Sequence, residues 1–149
     1  MNKKTKIVIL IIVLIITILM AFAYISHKHK KENYIAIQEK RIDLYFTHNL
    51  NKYKNMEVTD FHKNPMGGYF VEGYINDNKD YEFQASIDSG GDDQFHKDIG
   101  YDGDKIGKLF KEKDPKYKLS VDEIIEKEHL DKSEYEAEPP LFFFSGPLE

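Results

Sequence analysis

The 149-residue chain has no cysteine and no tryptophan. Without cysteine there is no disulfide framework, no thiolate zinc site, no cysteine nucleophile and no lipidated cysteine anchor. Residues 1–31 contain no acid and six lysines (Lys3, Lys4, Lys6, Lys28, Lys30 and Lys31), whereas the remaining residues carry 15 bases against 26 acids. The net charge of -5 is therefore the sum of a +6 segment and a -11 segment. A domain that must neutralise phosphates cannot itself be strongly anionic, so nucleic-acid binding is disfavoured. Also missing are a G-x-S-x-G elbow, an H-E-x-x-H helix, a P-loop and a glycine-rich fingerprint opening a helix after a strand.

What the sequence does have, first, is a long apolar run. Ile7 to Ile25 is 19 residues without charge, proline or glycine, and 14 of them are Ile, Leu, Val or Phe. As a helix it would be about 28 Å long, which matches a hydrocarbon core of about 30 Å. A buried helix of a soluble protein needs a polar face, and this run offers only Thr17 and the terminal Tyr24. Lys3-Lys4-Thr5-Lys6 followed by Ala21-Phe22-Ala23 also fits a cleavable signal peptide. The run, however, stays apolar through Ile25 and meets a basic cluster at once, so a retained anchor in the lipid bilayer through residues 7–25 is expected. Three lysines on each side nearly balance the positive-inside rule. A six-residue tail is the easier end to keep inside, which places the domain outside the cell. His27-Lys28-His29 reads as a solvated interfacial collar, since two imidazoles without a third ligand hold a metal weakly.

From Glu32 to about Lys54 there is no glycine or proline, and Ile35, Ile42, Tyr45, Phe46, Leu50 and Tyr53 approximate one helical face. A helix of about 20 residues follows from that spacing, with helix-to-sheet packing for its aromatic stripe. After Asn55 the period changes to two. Strands are expected at Met56–Phe61, Tyr69–Ile75 and Asp80–Asp88, joined by the turn signals Asn64-Pro65-Met66-Gly67-Gly68 and Asn76-Asp77-Asn78-Lys79. A weaker strand-like stretch covers Gln94–Ile99, and a short helix fits Lys105–Lys111. Ser120 and Glu123 form a capping box, with Leu119 and Ile124 at the staple positions, for a helix running to about Leu130. Beyond Asp131 the chain is acidic, then turns to Pro139-Pro140 and Leu141-Phe142-Phe143-Phe144; an exposed phenylalanine triplet must either pack back or dock elsewhere.

No chemistry is signed by spacing. Paired carboxylates are expected by chance in a chain that is 32% charged, and Ser86, Ser89, Ser120, Ser133 and Ser145 lack the setting of an activated nucleophile. His48, His62, His96 and His129 are scattered singly and read as surface or helix-end residues. Asp88, Asp92, Asp93, Asp98, Asp102 and Asp104 suggest calcium, but aligning Gly103 with the EF-hand glycine puts Gly100 at position 3 and Leu109 at position 12, where a bidentate Glu is required. Acidic solvated turns are the plainer reading. No catalytic, cofactor-binding or metal-binding residue is therefore assigned.

Gln38-Glu39-Lys40-Arg41-Ile42, Leu44-Tyr45-Phe46-Thr47-His48-Asn49, Asn64-Pro65-Met66-Gly67-Gly68-Tyr69, Glu72-Gly73-Tyr74-Ile75-Asn76 and Val121-Asp122-Glu123-Ile124-Ile125 together resemble a family of small uncharacterised proteins of Gram-positive bacteria, usually tethered to the membrane by an amino-terminal helix or a lipid. The resemblance implies no catalytic set; in related lipoprotein families it implies an immunity role against secreted toxins. The chain departs from it in lacking a lipidated cysteine and in its Pro-Pro-Leu-Phe-Phe-Phe segment.

The expected architecture is α+β: a transmembrane anchor with basic flanks (1–31), a domain (32–131) in which a long helix packs on a three- or four-stranded antiparallel meander followed by a short helix, and an acidic, Pro- and Phe-containing segment (132–149). The expected function is a single-pass, extracytoplasmic, non-enzymatic binding or protective module that captures a basic protein, with Asp92, Asp93, Glu134 and Glu136 as its exposed acids. Two other classes remain alongside it, an enzyme whose site forms only in three dimensions and a calcium-stabilised domain.

Overall fold

The computed structural model describes residues 2–140; the Phe142–Phe144 triplet lies outside them. Helix α1 runs unbroken from Lys3 to Asn49, about 70 Å at 1.5 Å per residue. The apolar run and the domain helix are thus one element. Its first half is exposed from Ile7 to Phe22 and has the length and composition of a membrane span or a signal sequence. Its second half is buried at Tyr34, Gln38, Arg41, Ile42, Tyr45, Phe46 and Asn49.

The helix stops at Asn49, earlier than its apolar spacing predicts, because the next residues find other partners. Leu50 is extended and bridges Phe110. Asn51 N–H donates to Leu109 O (2.7 Å), and Lys111 N–H to Asn49 O (2.9 Å). Lys111 Nζ also donates to His48 O (2.6 Å), a cation at the carbonyl end of the helix where the dipole favours it.

Strands β1 (Met56–Lys63), β2 (Tyr69–Ile75), β3 (Asn78–Ile87) and β4 (Ile99–Tyr101) form an antiparallel meander in the order β1-β2-β3-β4. The expected Gln94–Ile99 strand is instead a loop that pairs only from Ile99 onward. Asn76 and Asp77 take φ of 57° and 55°, the two left-handed positions of a tight hairpin. That tip is fastened to the α1–β1 connection, since Asn76 Oδ1 accepts from Lys54 N–H (2.8 Å) and Asn76 Nδ2 donates to Lys52 O (3.1 Å). Between Val58 and Asp60 the β1–β2 register slips at a bulge opposite Gly73. A Cβ at Gly73 would lie 2.2 Å from Glu57 O, so the bulge needs a glycine there.

Alternation along β2 turns Tyr69, Val71 and Ile75 to the core. Ile42 and Phe46 of α1 meet Phe83, Ala85 and Ile87 of β3 in one cluster, with Phe46 and Phe83 edge-to-face at 5.0 Å. Helix α2 (Val121–Lys127) adds Val121 and Ile125 to that cluster. Its capping box is formed as the sequence predicts: Glu123 N–H donates to Ser120 Oγ (3.3 Å) and Ser120 N–H donates to Glu123 Oε2 (2.7 Å). The predicted Lys105–Lys111 helix shrinks to a 3-10 turn at Ile106–Leu109.

Candidate functional site

Two polar places stand out, one inside α1's contacts and one on the open face of the sheet. Along α1, Tyr34, Gln38, Arg41, Tyr45 and Asn49 recur at intervals of four, three, four and four, so they share one side of the helix. Each holds a segment distant in sequence. Tyr34 Oη donates to Asp93 O (2.7 Å); burial pushes its phenol far above the usual range, so the hydroxyl stays a donor. The Gln38 carbonyl accepts from Phe95 N–H (2.8 Å) and its amide donates to Gln94 (2.7 Å). Asn49 both donates to Leu119 O (2.9 Å) and accepts from Leu119 N–H (3.0 Å).

Arg41 is the centre of this row and is fully buried. Its Nε donates to Phe95 O (2.7 Å), Nη1 to Tyr135 O (3.0 Å) and Nη2 to Asp122 Oδ1 (3.1 Å). The other Asp122 oxygen meets His96 Nδ1 at 2.5 Å, and His96 Nε2 meets Asp92 Oδ1 at 2.8 Å. Partial burial works against the Asp92 carboxylate, but the Gln94 N–H and the His96 ring outweigh it and hold its pKa below the ordinary aspartate range. Both ring nitrogens of His96 are thus engaged by carboxylates. This cluster locks α2 and the 92–96 loop to α1.

Three of the six aspartates that suggested calcium, Asp88, Asp92 and Asp102, are turn builders, as are Asp114 and Asp131. Asp88, Asp92, Asp102, Asp114 and Asp131 each accept from the backbone N–H two residues on, at 2.8–3.0 Å, the Asx-turn that makes this residue frequent in loops. Among the described residues no group of three or more His, Asp or Glu side chains is placed to hold a metal. Three of the four acids expected to meet a basic partner are engaged in ion pairs: Glu134 with Lys40 (3.2 Å), Glu136 with Lys132 (3.1 Å) and Asp92 with His96. Of the single histidines, His62 sits 2.8 Å from Asp60 and His129 ends α2 at φ 53°; only His96 joins a network of several groups.

Five acids gather on the sheet face that no described element covers. There the twisted strands form an open concavity of about 600 Å³, in which Glu57, Glu72, Asp80, Glu82 and Asp102 outnumber Lys79 and Lys105. Glu72 accepts from Gln84 Nε2 (2.6 Å), and Tyr74 donates to Glu57, which raises the Tyr74 pKa. These bonds fix the carboxylates on adjacent strands. The surface is wide, polar and anionic, suited to an extended contact and too open to sequester a small molecule from water.

A family model described as "Protein of unknown function (DUF1433)" matches residues 34–127, more than half of the chain, and the chain belongs to that family. No curated protein and no solved structure matches it. The matched region opens at Tyr34, the first fully buried residue of α1, and closes at Lys127, the last of α2. The family unit is therefore the folded domain, with the apolar half of α1 and the segment after α2 on either side of it.

Proposed function

We propose that this family member is a single-pass, membrane-tethered, non-enzymatic binding module that holds its acidic sheet face toward a basic protein outside the cell. The carrying observation is the uncovered concave face, with five carboxylates to two lysines. An array of this kind steers a cationic partner and fixes its register, and its attraction weakens as salt screens it. Retention of the anchor is supported by α1, which passes through Ala21-Phe22-Ala23 without a break. The resemblance to membrane-anchored and lipoprotein-type proteins of Gram-positive bacteria supports a cell-surface location, and its implied immunity role makes a secreted basic toxin the favoured partner.

A photo-crosslinking residue at Gln84, in the middle of the face, tests the reading in intact cells. The expected product is an adduct with a basic protein that disappears when Glu72 and Glu82 are changed to lysine. Adducts from a probe at Lys127 on α2, with none from Gln84, would place the binding surface elsewhere.

A further inference from the structure

Strand β1 runs back along α1 toward the apolar half of that helix. It starts at Met56, just after α1 ends at Asn49. Farther on, the Phe61 ring meets Tyr34 at 6.1 Å, and Tyr69 at the start of β2 meets the same ring at 5.4 Å. The β1–β2 turn therefore closes the end of the domain from which the apolar run projects. Tyr34 lies nine residues beyond Ile25, about 14 Å along the helix. From Phe61 to Asn64 an extended chain advances about 10 Å, and somewhat less along α1 where the strand is tilted. The tip of the turn is thus about 4–6 Å above Ile25, and the headgroup layer on each side of the hydrocarbon core is about 5–8 Å deep.

What that tip presents is apolar and rigidly held. Pro65 and Met66 are exposed, and among the described residues beyond α1 only Met66 (95%) and Tyr117 (60%) expose a large apolar side chain. Met66 N–H donates to Asn64 Oδ1 (3.0 Å), Gly67 N–H to Asn64 O (2.9 Å) and Asn64 N–H to Gly68 O (3.0 Å). Gly67 and Gly68 take φ of 108° and 77°, and a Cβ there would strike Ser89 Oγ and Ile87 O respectively. The turn is pressed against the end of β3, which leaves Met66 directed away from the domain. Little ordering entropy remains to be lost when such a side chain enters an apolar layer. The adjoining 88–93 loop carries Asp88, Asp92 and Asp93, so burial of apolar surface, and not attraction to anionic headgroups, drives a contact at this place.

We propose that the β1–β2 turn is a second contact with the lipid bilayer, with Met66 inserted where the headgroups meet the acyl chains. The inference rests on Ile7–Ile25 being a membrane span. Because α1 already holds the domain at the surface, the turn engages in a tethered step at high effective concentration, so one side chain and its flanking proline suffice. Two points of attachment restrain rotation of the domain about α1 and fix the direction in which the acidic sheet face looks.

The absence of tryptophan makes a single reporter unambiguous. Full-length M66W, Y24W and Y117W would each be reconstituted in phosphatidylcholine vesicles with brominated acyl chains. Tyr117 precedes the Leu119 that Asn49 holds at the other end of the domain, and it serves as the aqueous reference. The expected result is blue-shifted M66W emission, quenched at least a third as strongly as Y24W, with Y117W unquenched. Quenching of M66W below that level overturns the proposal. Tryptophan itself favours the interface, so the native side chain is tested with a reporter beside it. Quenching of K63W should fall at least twofold when M66D is added, and a smaller fall overturns the proposal. Loss of quenching at Y24W would instead overturn the anchor itself.

Discussion

At the scale of single residues, the fold depends on a side chain whose sequence context is unremarked. Arg41 is the only arginine in a chain with 20 lysines, and its planar fork reaches two carbonyls and a carboxylate at once. Arg41→Ala should cost about 3 kcal/mol, the lower end for a broken buried pair because Asp122 stays 40% exposed. Arg41→Lys should recover little of that loss, since an ammonium cannot span the three acceptors. Urea unfolding of the full chain in detergent micelles measures both, and a lysine variant as stable as the parent would contradict the assignment. Asp92 makes a pH-dependent contribution of known sign. Its folded pKa is depressed, so its stabilisation is present above the unfolded aspartate value of about 3.9 and is lost as pH falls through the lower folded value. Asp92→Asn should flatten the acid limb of the stability profile below about pH 4; an unchanged limb would show that the Gln94 N–H and His96 contacts do not hold the carboxyl down. Neither role was legible in advance, because apolar periodicity treats Gln38, Arg41 and Asn49 as solvent-facing. The buried polar row becomes visible only when the segments it binds, 93–95, 119 and 135, are in place.

At the scale of elements, local chemistry was the better guide. The Ser120 capping box, the Asn76-Asp77 hairpin and the alternation of Tyr81, Phe83, Ala85 and Ile87 are each signed by neighbours in sequence, and each forms as expected. The Gln94–Ile99 stretch, strand-like in sequence, forms a loop for a non-local reason. Its Gln94 and Phe95 backbone and side-chain groups are taken by Asp92 and by α1, leaving only residues 99–101 to the ladder. The β1 bulge was likewise invisible, since nothing near Val58 announces that Gly73 stands opposite. Gly73→Ala should destabilise the sheet by about 1–3 kcal/mol, the cost of overpacking, because the new methyl would sit 2.2 Å from Glu57 O and 3.0 Å from the Phe83 ring. Thermal unfolding followed by circular dichroism checks this, and an unchanged midpoint would mean that β1 can shift to a regular register.

At the scale of the whole molecule, the division of charge acquires a structural meaning. The +6 segment lies on the half of α1 that projects from the domain, while among the acids of the -11 segment some close turns, some form ion pairs and five line the open sheet face. Because α1 is continuous, any anchoring of its first half is transmitted rigidly: Tyr34 lies nine residues beyond Ile25, about 14 Å along the helix, so the domain would stand directly at the bilayer surface. Cleavage after Ala23 would remove this attachment and release a domain with no fixed orientation. The most direct measurement is therefore the intact mass of the protein and its partition after an alkaline wash of membranes. The account predicts a chain of 17.5 kDa that retains residues 1–23 and stays with the membrane pellet. A species beginning at Tyr24 and recovered in the soluble fraction would contradict it.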